Sequence, residues 1–140
     1  MIELTESTIM ADPAHALEIL SRLNAMGVQL SIDDFGTGYS SVAYLKSLPV
    51  HALKVDRSFV SQMLQSSSDA VIVHSTIDLG RNLGLRVVAE GVENPLTLQH
   101  LGLLGCHAAQ GYHISRPIPA DQLISWLEYQ AARAAPPARR

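Results

Sequence analysis

The stretch SIDDFGTGYSS, residues 31–41, decides how the chain is read. It is an apolar strand that runs into two adjacent carboxylates, Asp33 and Asp34, and then into a loop with glycines at 36 and 38. Two like charges side by side repel, and loss of water makes the repulsion worse. A strand that ends this way needs a positive partner for the pair or full solvation of both.

Working outward, strand and helix patterns alternate. IELTES at 2–7 is a short strand candidate. Asp12 followed by Pro13 is a helix cap with proline at the first helical position, and Ala16, Ile19, Leu20, Leu23 and Met26 follow at helical spacing up to Gly27. VQLSID at 28–33 is the next strand. Ser40 is expected to cap a short helix carrying Val42, Leu45 and Leu48, ended by Pro49. ALKVD at 52–56 is a strand, a helix spans about 69–83 with Gly84 after it, and RVVAE at 86–90 is a strand. Asn94–Pro95 opens a helix that Gly105 ends, HAAQ at 107–110 is a short strand, and a last helix from Pro119 carries Leu123, Ile124 and Leu127 on one face. About five strand–helix repeats predict an α/β fold with a parallel sheet covered by helices. The alternation alone does not separate a barrel from an open doubly wound sheet.

Composition narrows the class. The 140 residues suit one small domain or part of a larger one, and 47% hydrophobic with 16% charged residues is globular. A net charge of −3 gives no broad basic surface for a nucleic-acid polymer or a bilayer. The single cysteine, Cys106, excludes an intramolecular disulfide and reads as a small buried hydrophobe; the expected compartment is a reducing cytoplasm. No run approaches the roughly 18 apolar residues of a membrane span. The domain is expected over residues 1–130, with 131–140, AARAAPPARR, as a disordered basic tail.

Polar residues gather where the predicted strands end: Glu3, Asp33, Lys54, Glu90 and Gln110. In parallel α/β folds the carboxyl ends of the strands form one rim, and sites sit there. If all five point inward, three strands supply carboxylates, one a lysine and one an amide to a common mouth. Carboxylates from separate strands suit a hard divalent cation such as magnesium or manganese. Five unrelated rim charges, some in ion pairs, fit the spacing as well. A dinucleotide-binding reading fails, because GTG after the strand is not GxGxxG and the aspartates would repel a phosphate without a metal.

Five motifs, IELTES at 2–7, SIDDFGTGYSS at 31–41, LKVDRSFV at 53–60, VVAEGVEN at 87–94 and AAQGYHISRPIP at 108–119, occur in one order and spacing. Through them the sequence resembles the C-terminal part of EAL domains, the cyclic di-GMP phosphodiesterases. The resemblance implies an incomplete TIM-like (β/α) barrel, one strand of which is reversed in the family. It implies cleavage of one phosphodiester of cyclic di-GMP to linear pGpG at a two-metal magnesium or manganese site. It casts Glu3, Asp33 and Asp34 as metal ligands, with Asp33 reaching both ions. It casts Lys54 as the contact of the catalytic water, Glu90 as a further acid of the metal site and Gln110 as the amide that orders the water. Glu6 is expected to hold the DDFGTG loop, Asp56 to orient Lys54 or its strand, and Glu93 to support the matching loop. Family domains also dimerise around the DDFGTG region, which implies a homodimer.

No Glu-Ala-Leu tripeptide occurs in the chain. The family's metal-binding glutamate of that motif, an asparagine ligand and a phosphate-gripping arginine are expected upstream of residue 1. The chain alone is therefore expected to be an inactive fragment of an active parent. A cyclic di-GMP receptor or protein-interaction module without turnover is the alternative. The six histidines show no metal-ligand spacing and read as surface or rim residues; Trp126, Phe35 and Tyr39 read as packing residues, and Arg116 is assigned no role.

Overall fold

The computed structural model describes residues 1–37 and 42–134. Five strands, β1 (Ile2–Thr5), β2 (Leu30–Phe35), β3 (Ala52–Val55), β4 (Arg86–Ala89) and β5 (Ala108–Ala109), form one parallel sheet in chain order. Strand order equal to chain order means that every crossover steps in the same direction, as in a barrel wall. A doubly wound sheet reverses direction at a switch point, and this one does not. The sheet is not closed: β1 and β5 are its two edges.

Helices connect the strands: α1 (Glu6–Ala11), α2 (Pro13–Ala25), α3 (Val42–Ser47), α4 (Arg57–Gln62), α5 (Ser67–Asn82), α6 (Pro95–Leu103) and α7 (Leu123–Ala134), the last entered through a 3-10 turn at Ala120–Gln122. Their starts follow from side chains that satisfy the free amides of a first turn. Asp12 accepts from the His15 amide at 3.1 Å, and Asn94 accepts from Thr97 at 2.8 Å. Two helices differ from the sequence expectation. IELTES is not all strand, because Thr5 caps α1 and Glu6 is its first residue. The stretch after LKVD turns into α4, because Asp56 accepts from the Ser58 amide at 2.7 Å and caps it. Both segments are too short for a periodic apolar signal. β2 lies two residues later than expected. The expected cap at Ser40 lies outside the described residues, as do Gly38 and Tyr39. α7 runs on to Ala134, into the stretch expected as a tail, through the strong helix formers Gln130, Ala131 and Ala132; residues 135–140 lie outside the described residues.

One face of the sheet carries the core. Ile32 is the register partner of Leu53, and Leu53 of Val87, while Val55 faces Ala89 across the next pair. All five are buried against helix residues that include Ile9, Leu20, Val60, Val73, Ile77 and Leu101. Helix α5 lies close to β4 because residue 80 is glycine: a Cβ there would stand 2.3 Å from Val87 Cγ2. A mid-helix glycine costs about 1 kcal/mol in propensity, and the close packing of backbone on Val87 offsets it. Away from this core, Leu123, Ile124 and Leu127 of α7 are exposed. No helix among the described residues is long and apolar enough to cross a membrane.

Two histidines do more than cover the rim. His51, just before β3, accepts the Leu30 amide on Nδ1 at 3.2 Å, and His107, just before β5, accepts the Val87 amide on Nδ1 at 3.1 Å. Each therefore terminates the amide ladder of the preceding strand. Cys106 sits beside the second of these, its thiol 3.2 Å from the Ala108 carbonyl, and burial pushes that thiol's pKa up. Replacing His51 by phenylalanine leaves the Leu30 amide without its acceptor. The expected loss is about 1–3 kcal/mol of stability, read as a lower urea midpoint with faster hydrogen exchange at Leu30. An unchanged midpoint would show that water replaces the imidazole.

Candidate functional site

Adjacent strand residues point to opposite faces of a sheet, so Asp33 and Asp34 in a regular strand could not share a site. β2 is not regular there. Its register with β3 runs Ile32 to Leu53 and then Phe35 to Val55, so one extra residue is inserted between them. Asp34 takes a φ of 54°, a left-handed conformation unusual for a residue with a side chain. The Asp34 amide donates to Asp33 Oδ1 at 3.0 Å, and the Thr37 hydroxyl donates to the Asp34 carbonyl at 2.8 Å. This bulge turns the two carboxylates toward one place. Carboxylate oxygens of Asp33, Asp34 and Glu90 all lie within 4.8 Å of one another.

Lys54 is the counterweight. It lies on the face opposite the apolar core, with its side chain 7% exposed. Its Nζ sits 2.7 Å from Glu90 Oε1, 2.8 Å from Glu3 Oε2 and 3.3 Å from Asp33 Oδ1. Burial alone would lower its pKa. Hydrogen bonds to Glu3 and Glu90, with the charges of Glu90 and Asp33, outweigh that and hold it above the usual lysine range. The side chain is thus an ammonium at neutral pH: it can donate and neutralise, and it is not a base. Asp34 shows the opposite imbalance. Burial, a hydrogen bond to Asp56 and the charges of Asp33, Asp56 and Glu90 push its carboxyl above the ordinary range. The cluster therefore holds more negative charge than one lysine compensates. Three converging carboxylates with a charge deficit fit a divalent cation with oxygen ligands.

The remaining expected residues fall around this centre. Glu6 is buried at the start of α1, and its Oε2 accepts from the Gly36 amide at 3.2 Å, tying the loop after β2 to the end of β1. Gly36 has a φ of +102°, which a side chain would strain. Glu3 meets the cluster through Lys54 and stands outside the group of three carboxylates. Asp56 does not touch Lys54; its partners are Ser58, the Arg57 amide and Asp34. Of the two expected roles, orienting Lys54 or its strand, no contact with Lys54 is seen among the described residues, and Asp56 sits directly after β3 as the cap of α4 with a hydrogen bond to Asp34. Gln110 is fixed by its backbone, donating to Ala89 at 2.8 Å and accepting from Val92 at 3.0 Å. It lines a recess of about 190 Å³ with Arg57, Glu90, Gly91, Glu93 and Tyr112. Glu93 faces this recess, and no contact with the loop after β2 appears among the described residues. Arg57 and Tyr112 were not legible as site residues; their only signal was adjacency to the KVD and QG motifs.

The EAL domain family model matches residues 1–117 of the chain. The chain belongs to the EAL domain family. Among curated proteins, this EAL chain is 51% identical over 125 residues to the bifunctional diguanylate cyclase/cyclic di-GMP phosphodiesterase MucR of Pseudomonas aeruginosa, covering 89% of the chain and 18% of that protein. It is 47% identical over 138 residues to the cyclic di-GMP phosphodiesterase NbdA of the same organism, covering 99% of the chain and 18% of that protein. Among solved structures, the MucR phosphodiesterase in its cyclic di-GMP complex superposes with a TM-score of 0.84 at 53% identity, over 86% of this chain and 49% of that one. A Klebsiella pneumoniae protein solved as a manganese/cyclic di-GMP complex gives a TM-score of 0.76 at 35% identity, over 83% of this chain and 30% of that one. The chain thus spans about a fifth of the length of these curated relatives and about half of the MucR phosphodiesterase structure.

The charge balance of the EAL cluster gives a sharp test. In Lys54→Met the carboxylates of Glu3, Asp33 and Glu90 lose their ammonium, and a divalent cation gains them without competition. Manganese is expected to bind about tenfold more tightly than to the wild type, measured by isothermal titration with the free chain. Weaker binding in the variant would mean that Lys54 builds the cation site and does not compete with it.

Proposed function

We propose that the chain supplies the carboxylate and lysine part of a divalent-cation-dependent phosphodiesterase site for cyclic di-GMP, yielding linear pGpG. The convergence of Asp33, Asp34 and Glu90 on one place beside Lys54 carries this reading. It is supported by relatives named as cyclic di-GMP phosphodiesterases and by neighbours solved with cyclic di-GMP and manganese or calcium.

Asp33, Asp34 and Glu90 would hold magnesium or manganese, with Glu3 joining the set if Lys54 releases it. Bound there, the cation would supply Lewis acidity toward the phosphodiester and toward water. The chain's own groups do the rest. Lys54 keeps its proton and places positive charge where negative charge develops during attack at phosphorus. The Gln110 side chain, at the mouth beside Glu90, can orient the attacking water by one donor and one acceptor. Glu6, through the Gly36 amide, keeps the Asp33–Asp34 bulge from relaxing to a regular strand.

The sheet is open at β1 and β5, and Glu3 on the β1 edge is exposed. A ligand on this face would have walls on one side only, so water reaches the site freely and the substrate is poorly oriented. The 140-residue chain by itself is accordingly expected to bind manganese and to release no pGpG from cyclic di-GMP above background. Asp33→Asn should weaken manganese binding at least about tenfold, because it removes a carboxylate charge from the cluster. Asp34→Gly should weaken it similarly while leaving the melting temperature equal or higher, since glycine adopts the positive φ without strain. Turnover by the free chain would refute its inactivity, and manganese binding indifferent to Asp33→Asn would refute the metal site.

A further inference from the structure

The amino ends of the sheet are closed by groups that titrate. Leu30 opens β2 and Val87 is the second residue of β4, and both are 0% exposed. The amide of each points toward a neighbouring strand that has not yet begun, and a buried amide needs an acceptor. His51 accepts from the Leu30 amide on Nδ1 at 3.2 Å, and its own amide donates to the Leu30 carbonyl at 2.8 Å. His107 accepts from the Val87 amide on Nδ1 at 3.1 Å. The Ile2 amide of β1 has a backbone acceptor instead, the Gln29 carbonyl at 2.8 Å. The imidazole closures thus fall on β2 and β4, the strands that lead to Asp33, Asp34 and Glu90.

An imidazole accepts on Nδ1 only while that nitrogen keeps its lone pair. The neutral ring must therefore carry its proton on Nε2. An imidazolium has an N–H on both nitrogens and turns a donor toward the amide. His51 is half-buried and His107 is exposed, so both rings keep contact with solvent. The surroundings offer no counter-charge. The loops entering β2 to β5, residues 26–29, 47–51, 83–85 and 104–107, hold ionisable groups only in His51, Cys106 and His107. Burial pushes the pKa of the Cys106 thiol up, so it stays uncharged. Arg86 opens β4, and its amide donates to the His51 carbonyl at 2.9 Å. The last turns of α2, α3, α5 and α6 carry Arg22, Lys46, Arg81 and His100. Asp78 lies 3.5 Å from His74 on the exposed side of α5. Neither His51 nor His107 has a carboxylate partner among the described residues.

We propose that His51 and His107 form a proton-sensitive closure of the sheet, which holds β2 and β4 at their amino ends while both rings are neutral and releases them on protonation. Where an N–H faces an N–H at a residue without solvent contact, the strand end has to open before water can satisfy the amide. The device acts on the two strands that deliver the carboxylate cluster, from the end opposite to it. It stands apart from the cyclic di-GMP reading and needs no ligand.

The test is nitrogen and proton magnetic resonance of the labelled chain between pH 8 and pH 5, the range in which imidazole gains its charge. At pH 8 both rings are expected as the Nε2–H tautomer. The amide resonances of Leu30 and Val87 should then titrate together with the rings of His51 and His107 respectively. His51→Asn and His107→Asn each keep an oxygen near the place of Nδ1 and remove the titrating ring, so the matching amide should become flat with pH. In urea, the unfolding constant of the wild type should rise about tenfold more from pH 8 to pH 5 than that of the double variant, because the unfolded chain takes up protons that the closed sheet refuses. An Nδ1–H tautomer at pH 8, flat Leu30 and Val87 resonances while the rings titrate, or a double variant with the pH dependence of the wild type would each overturn the closure. The first two readouts use the wild-type chain and decide the matter even where a variant fails to fold.

Discussion

One buried ammonium organises the polar face of this sheet. Lys54 on β3 reaches Glu3 on β1, Asp33 on β2 and Glu90 just after β4, so a single charge ties together side chains from four strands, although Glu3 pairs with Ser31 and Lys54 with Val88 in the register. Burial alone would lower the pKa of this lysine, and its contacts with the carboxylates outweigh that. Together they are mutually supporting. The arrangement also fixes what the lysine can do: a group held this firmly as a cation stabilises negative charge and does not take protons.

The second constraint is the bulge at Asp33–Asp34. A parallel strand offers one inward position in two, and a site needing two carboxylates from one strand must break that rule. Here it is broken by one inserted residue and one left-handed aspartate. The strain is held from outside the strand, by the Glu6 side chain on the Gly36 amide and by Thr37 on the Asp34 carbonyl. The result is a cluster with more negative than positive charge, which is the electrostatic condition for cation binding. The short helix α1 thereby has a purpose beyond connection, because it places Glu6 under the loop.

The two ends of the sheet differ in character. At the carboxyl ends lie the charged cluster and the recess beside it. At the amino ends, imidazoles close the ladder, with His51 on the Leu30 amide and His107 on the Val87 amide. Neither role shows in a sequence scan, because a histidine before a strand looks like any surface histidine.

The sequence by itself determined the class of fold and the sites of most strands and helices, and it offered Glu3, Asp33, Lys54, Glu90 and Gln110 as polar residues at strand ends without deciding whether they converge. Apolar periodicity, caps such as Asp12 and Asn94, and five ordered motifs are all local or additive signals, and a linear string preserves them. The tertiary structure decided the rest. It chose a barrel-like order over a reversed sheet, made Asp56 the cap of α4, and set Glu3 on the lysine and outside the carboxylate trio. Those are relations between residues far apart in the chain, and they exist only once register, bulge and close approach fix which side chains meet.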